Sequence, residues 1–117
     1  MTNAAAQARP PIGARRRRFV LERPVDEPDG FGGTYRRYVA GPLLWGAIEP
    51  LGAGERLRGG RAESVASHRI TLRARPGLAP DMRLAAGPRR FLIRSVEELG
   101  PRGRDLVCRV EEMEAAA

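Results

Sequence analysis

Few side chains in this 117-residue chain could carry covalent or acid–base chemistry. His68 is the single histidine and Cys108 the single cysteine. A catalytic thiol needs a nearby base or cation to lower its pKa. Cys108 sits between Val107 and Arg109 in an apolar, strand-like run with no second cysteine nearby, so it reads as a buried, reduced thiol. His68 falls at the start of a strand and reads as a structural or exposed histidine. Glu97–Glu98 and Glu111–Glu112 are adjacent carboxylates. Neighbouring residues of a strand point to opposite faces, so neither pair can share a proton as a dyad. A tetrahedral metal site needs more His and Cys than the chain has. Gly30-Phe31-Gly32-Gly33 lacks the lysine and the following helix of a phosphate loop and reads as a turn. The expectation is a protein that is not an enzyme and uses no metal or cofactor.

Arginine is the other chemistry-bearing residue. All 21 basic residues are arginine, against 14 acids, for a net charge of +7. The first 18 residues hold five arginines and no acid, whereas residues 19–117 hold 16 arginines against the 14 acids. The surplus is thus largely N-terminal, and the body is nearly balanced. GC-rich coding, which also inflates Ala, Gly and Pro, explains much of the arginine content. Arginine nonetheless binds phosphate in bidentate geometry. Arg15 to Arg18, the set Arg56, Arg58 and Arg61, and the strand face Arg69, Arg73 and Arg75 are the candidates for phosphate contact. Trp45, two tyrosines and three phenylalanines lie mostly in apolar runs, where core packing is the default. Readers of single-stranded nucleic acid interleave stacking aromatics with basic residues, a pattern absent here. Two readings stay open: sequence-independent contact with DNA, or arginine faces that are solvated or paired with glutamates of a neighbouring subunit. No apolar run is long enough to span a membrane. Arg16-Arg17-Arg18-Phe19-Val20 resembles a twin-arginine export signal only superficially, since Glu22, Arg23, Pro24, Asp26 and Glu27 follow in place of an apolar segment.

The elements that position these residues read as strands and turns. Arg17 to Arg23 alternates, with Phe19 and Leu21 on one face and Arg18, Val20 and Glu22 on the other, and Pro24 should end it. Asp26 to Gly33 is dense in turn formers. Thr34 to Val39 favours a strand, Gly41-Pro42 should interrupt, and Leu43 to Leu51 should resume as a mostly buried strand. Gly52 to Ser67 reads as a long loop, with one helical turn near Arg61 to Ala66. In His68 to Arg75, His68, Ile70, Leu72 and Ala74 alternate with Arg69, Thr71, Arg73 and Arg75. Met82 to Ala85 is a short strand, and Arg90 to Val96 with Asp105 to Val110 makes a hairpin. The expected fold is all-β: a small β-barrel or sandwich of about six to seven antiparallel strands with a long loop. Residues 1–14 read as a flexible N-terminal arm, 15–112 as the β domain, and 113–117 as a flexible tail.

Four blocks, taken in order, resemble the phage head–tail joining family, also described as head completion or stopper proteins. LERPVDEPDGFGGTYRRYV resembles the family's opening: strand, proline, acidic turn, Gly-Gly, next strand. WGAIEPLGAGE, from Trp45 to Glu55, is similar to its second block, and HRITLRARPGLAPDMRL, from His68 to Leu84, to its central one. FLIRSVEELGPRGRDLVCRVEE resembles its closing hairpin. The resemblance covers about Arg17 to Glu112. Family members often place a tyrosine between the two arginines after the central strand, where this chain has Ala74. The resemblance implies a structural virion protein in the neck of a phage or gene transfer agent particle, assembled in the bacterial cytoplasm. It would be a homo-oligomeric ring, sixfold by tail symmetry. A portal-adaptor protein lies above the ring and a tail terminator or tail tube protein below. The ring continues the channel for double-stranded DNA and helps retain packaged DNA. The resemblance also places the loop Gly52 to Ser67 toward the lumen. There Arg56, Arg58 and Arg61 can touch phosphate, and Glu55 and Glu63 can pair between subunits. Arg15, Arg16, Arg17 and Arg18 would dock the N-terminal arm on the connector.

Overall fold

The alternation of apolar and polar residues with a period of two organises the molecule. A computed structural model of the protein describes residues 15–52 and 65–114, the side chain of Arg15 aside. Within them lie six strands: β1 (Arg15–Pro28), β2 (Thr34–Pro50), β3 (His68–Arg73), β4 (Arg83–Ala86), β5 (Arg89–Leu99) and β6 (Asp105–Met113). They close into a barrel in the order β1-β2-β3-β6-β5-β4, antiparallel at every pairing. Closure leaves the barrel itself without a free edge.

The inward positions form one core. Phe19, Ile70, Leu84, Phe91, Ile93, Cys108 and Val110 are essentially sealed from solvent. Phe19 and Phe91 meet edge to face, with ring centroids 6.1 Å apart at 78°, an arrangement favoured by the ring quadrupoles. Burial pushes the Cys108 thiol up to about 12, so it stays protonated and packs as a small apolar group. Gly46 faces Leu72 across β3. A Cβ there would stand 2.6 Å from Leu72 Cδ2 and 3.2 Å from Thr71 O, so only glycine allows the strands to approach this closely.

Most strand ends shift by a few residues from the sequence reading, β3 for one ending at Arg73 and not Arg75, and three departures reshape β1 and β2. Pro24 does not end β1; it pairs with Tyr38 inside a strand that continues to Pro28. Beyond Glu22 the outer edge of β1 has no neighbouring strand, so the donor that proline lacks leaves no ladder bond unmade on that side. Gly41-Pro42 does not split β2 either. Val20 pairs with Leu43 and Glu22 with Ala40, so Gly41 and Pro42 together oppose Leu21 as a bulge. A Cβ on Gly41 would lie 3.0 Å from the Leu21 carbonyl oxygen. This fusion turns two expected strands into one of 17 residues. Finally, the turn is shorter than Asp26 to Gly33, because Asp26 and Glu27 belong to β1, opposite Arg36 and Tyr35.

The consequence is a two-stranded ribbon. Past Glu22 and Ala40, β1 and β2 pair only with each other, out to Pro28 and Thr34. Six further cross-strand pairs give a projection of roughly 20 Å beyond the barrel wall. A free hairpin of this kind is marginally stable in water, so its local contacts matter. Asp29 closes the tip: its Oδ1 accepts the N–H groups of Phe31 at 2.7 Å and Gly33 at 3.0 Å. Gly30 and Gly32 supply the positive φ angles of 83° and 87° that the turn requires.

Candidate functional site

The strand directions sort the molecule into two ends. The ribbon, residues 74–82 and the 100–104 turn lie at one end. Gly52 and Val65, the Gly87-Pro88 turn and the entry to β1 lie at the other. Ser67 ties the second end together. Leu51 N–H donates to its carbonyl at 2.9 Å, and its own N–H donates to Val110 O at 2.7 Å. His68 lines this mouth, its Nδ1 2.8 Å from Ser67 Oγ and its ring edge-on to Phe91 at 5.5 Å. Arg89 donates from Nε and Nη2 to the two carboxylate oxygens of Glu112, at 2.7 and 2.9 Å. That bidentate hydrogen bond holds the Glu112 carboxyl below its ordinary value of 4.5 and outweighs the opposing effect of burial. His68 thus packs edge-on against Phe91 beside Ser67, and Glu112 is held by Arg89.

The outer surface divides as sharply. On the β3–β6–β5 side three arginines are paired within the chain. Arg69 lies 3.5 Å from Glu49, Arg94 binds Glu111 and Arg109 binds Glu97, the last two at 2.5 Å. Arg69 therefore does not join Arg73 and Arg75 in a free phosphate-facing row, and the glutamate partners are intramolecular. A depression of about 30 Å³ between Arg69, Glu97, Glu98, Leu99, Val107 and Arg109 has room for a water or two and no more. Among the described residues, no group of three or more His, Cys, Asp and Glu is placed to hold a metal ion.

The β1–β2 wall is different. Apolar residues that the sequence reading consigned to the core face outward: Leu43 is 55% and Trp45 58% exposed. The bulge at Gly41-Pro42 resets the alternation of β2, so that Leu44 and Ile48 turn inward while Leu43 and Trp45 turn out. Val20 lies opposite Leu43, and Arg18 opposite Trp45, its guanidinium 5.8 Å from the indole ring. Arg16 and Arg18 are exposed and have no carboxylate within ion-pair distance among the described residues, and half-buried Arg17 has none either. At the ribbon tip, Phe31 is 94% exposed. The ribbon's flanks are ionic: Arg36 Nε donates to Asp26 Oδ1 at 2.9 Å and Arg37 Nε to Glu27 Oε1 at 2.7 Å. Its base is clamped to the barrel. Tyr38 Oη donates to Asp81 O at 3.1 Å, Arg83 lies 3.9 Å over the Tyr38 ring, and Arg83 binds Glu22.

A third feature is a rim of arginines at the ribbon end. Ala74 N–H donates to Arg104 O at 2.8 Å, which brings Arg73 and Arg75 beside Arg102 and Arg104. All four are exposed and none has an ion pair among the described residues. Sequence reasoning singled out Arg73 and Arg75 but missed Arg102 and Arg104. Their signal is the basic turn PRGRD, which hairpin closure carries to the end of β3. The sequence-derived lumen set, Glu55, Arg56, Arg58, Arg61 and Glu63, lies outside the described residues, as does most of the helical turn expected near Arg61 to Ala66. So do residues 1–14, the segment that Arg15 to Arg18 were expected to help dock.

Comparison with known proteins agrees with this architecture. No curated protein is significantly similar to the chain. A component of the native gene transfer agent virion is 29% identical, with a TM-score of 0.59 over 90% of this chain and 98% of that one. A Shigella flexneri 2a protein whose structure was determined in solution shares the fold at 21% identity. Its TM-score is 0.63, over 86% of this chain and 96% of that one. The family profile described as phage head completion protein matches residues 10–113, nearly the whole chain, and the chain belongs to that family.

Proposed function

We propose that the protein is a neck component of a phage or gene transfer agent particle. It forms a homo-oligomeric ring between the portal-adaptor connector and the tail, continues the channel for double-stranded DNA, helps retain packaged DNA and offers the tail its attachment surface. The observation that carries this reading is the family match over residues 10–113, seconded by the likeness to a chain of a gene transfer agent virion. The family is one of structural virion proteins. In this reading the segment between Gly52 and Val65, with Glu55, Arg56, Arg58, Arg61 and Glu63, faces the lumen. Arg15 to Arg18 help to hold the N-terminal arm on the connector. Particles made without the protein should have filled heads that lack tails or lose DNA when viewed by electron microscopy. Tailed, infectious particles formed in its absence would refute the proposal.

The unpaired rim of Arg73, Arg75, Arg102 and Arg104 supports a second reading, a small basic barrel that binds nucleic acid on its own. Affinity for free DNA should then fall steeply with salt, because each neutralised phosphate releases counterions. Weak binding that does not change on Arg102→Ala and Arg104→Ala substitution rejects this reading and leaves the first intact.

A further inference from the structure

We infer that the tip of the β1–β2 ribbon docks on the outer β1–β2 wall of a second copy of the chain. The inference rests on the ring reading above and names the two surfaces that would build the ring. The tip is a knob: Phe31 is 94% exposed, on a turn held by Asp29 and two glycines with positive φ. Asp29 spends one carboxylate oxygen on the turn amides and makes no ion pair among the described residues. The wall is the complementary socket: exposed Leu43 and Trp45 with half-buried Val20, flanked by Arg16 and Arg18, which have no ion pair among the described residues. One surface thus offers an aromatic ring beside an anion, and the other an apolar patch beside two cations.

The chain cannot satisfy this match by itself. Knob and socket lie on the same two strands, which run continuously from the wall to the tip. The clamp of Tyr38 on Asp81 and of Arg83 on Tyr38 and Glu22 fixes the base of the ribbon, so the tip points away from its own wall. Only a second copy can present its wall to the knob. Because knob and socket are different surfaces, the contact is head-to-tail and propagates around a ring when the rotation closes. An aromatic anchor meeting a tryptophan and an arginine is the composition found where binding energy concentrates.

The test is a cross-link in the full chain carrying both Phe31→Cys and Leu43→Cys. Mild oxidation should give a ladder of covalent multimers, whereas a mixture of the two single variants should stop at dimers. Cys108 is sealed in the core and takes no part. In sedimentation velocity, Phe31→Ala and Trp45→Ala should each weaken self-association at least tenfold with an unchanged far-ultraviolet spectrum. Asp29→Asn, which keeps the turn acceptor, should weaken it less and lower its salt dependence. Absence of the ladder both in solution and in particles carrying the double substitution overturns the inference, as does a cross-link formed only between two ribbon tips. Variants at Phe31 or Trp45 that still form rings but fail to attach tails also overturn it, by assigning the surface to another neck protein. That result leaves the neck function standing, whereas tailed particles made without the protein would remove both.

Discussion

The two outer walls of the barrel share a core and differ in what covers it. On the β3–β6–β5 side, Arg69, Arg94 and Arg109 each have a glutamate of the same chain within ion-pair distance. On the β1–β2 side, Arg16 and Arg18 have none among the described residues, and Leu43 and Trp45 stand exposed beside them. A wall whose charges are balanced internally is finished as a solvated surface. A wall that exposes a tryptophan beside cations with no ion pair among the described residues is the one we assign to a second copy. The difference lies in both composition and register. Cross-strand placement puts Glu beside Arg on one side, and the bulge turns apolar residues outward on the other.

The comparison can be broken at its base. Phe91→Ala empties the core under both walls and should cost roughly 3–5 kcal/mol. Urea unfolding followed by Trp45 fluorescence and by circular dichroism should shift together as one transition. Two separate transitions would show that the walls belong to independent units. Next in size is Trp45→Ala. It should leave stability within about 1 kcal/mol, because more than half of the side chain is already exposed. Its effect on self-association should be at least tenfold, and an equal loss of stability would make the wall a structural feature instead. Arg109→Ala, on the balanced wall, removes a largely buried side chain from an open glutamate; lost packing and the lost pair together should cost about 1–2 kcal/mol of stability, and association should not change. An effect on association there would erase the distinction between the walls.

The smallest expected effect is a pH dependence at the barrel mouth. Glu112 has its carboxyl pKa lowered by the Arg89 hydrogen bonds. Its contribution to stability is therefore complete above the ordinary value of 4.5 and is lost as pH falls through the lowered one. Thermal midpoints measured from about pH 7 down to about pH 3 should fall less steeply in Glu112→Gln than in the parent chain, and identical slopes would remove the pair from the account.

Much of this was legible in the chain. The alternation in His68 to Leu72 and in Phe19 to Glu22 signals half-buried strands, and Gly-rich turns mark most of their ends. The bulge was not legible, because Gly-Pro marks a turn in most contexts and becomes a bulge only when a partner strand runs past it. The ribbon was hidden for the same reason: Pro24 ends a strand that needs both edges and is harmless in one with a free edge. Trp45 was misassigned because an apolar run looks buried until its register is known.

By itself, then, the sequence determined an all-β fold of barrel or sandwich type, the family and the buried, reduced character of Cys108, since these depend on residue type and local period. The tertiary structure alone decided which arginines are paired and which are open, and which aromatics the core takes in and which face out. Those outcomes depend on which residue of one strand lies opposite which residue of another, and hydrogen bonds between distant segments set that register.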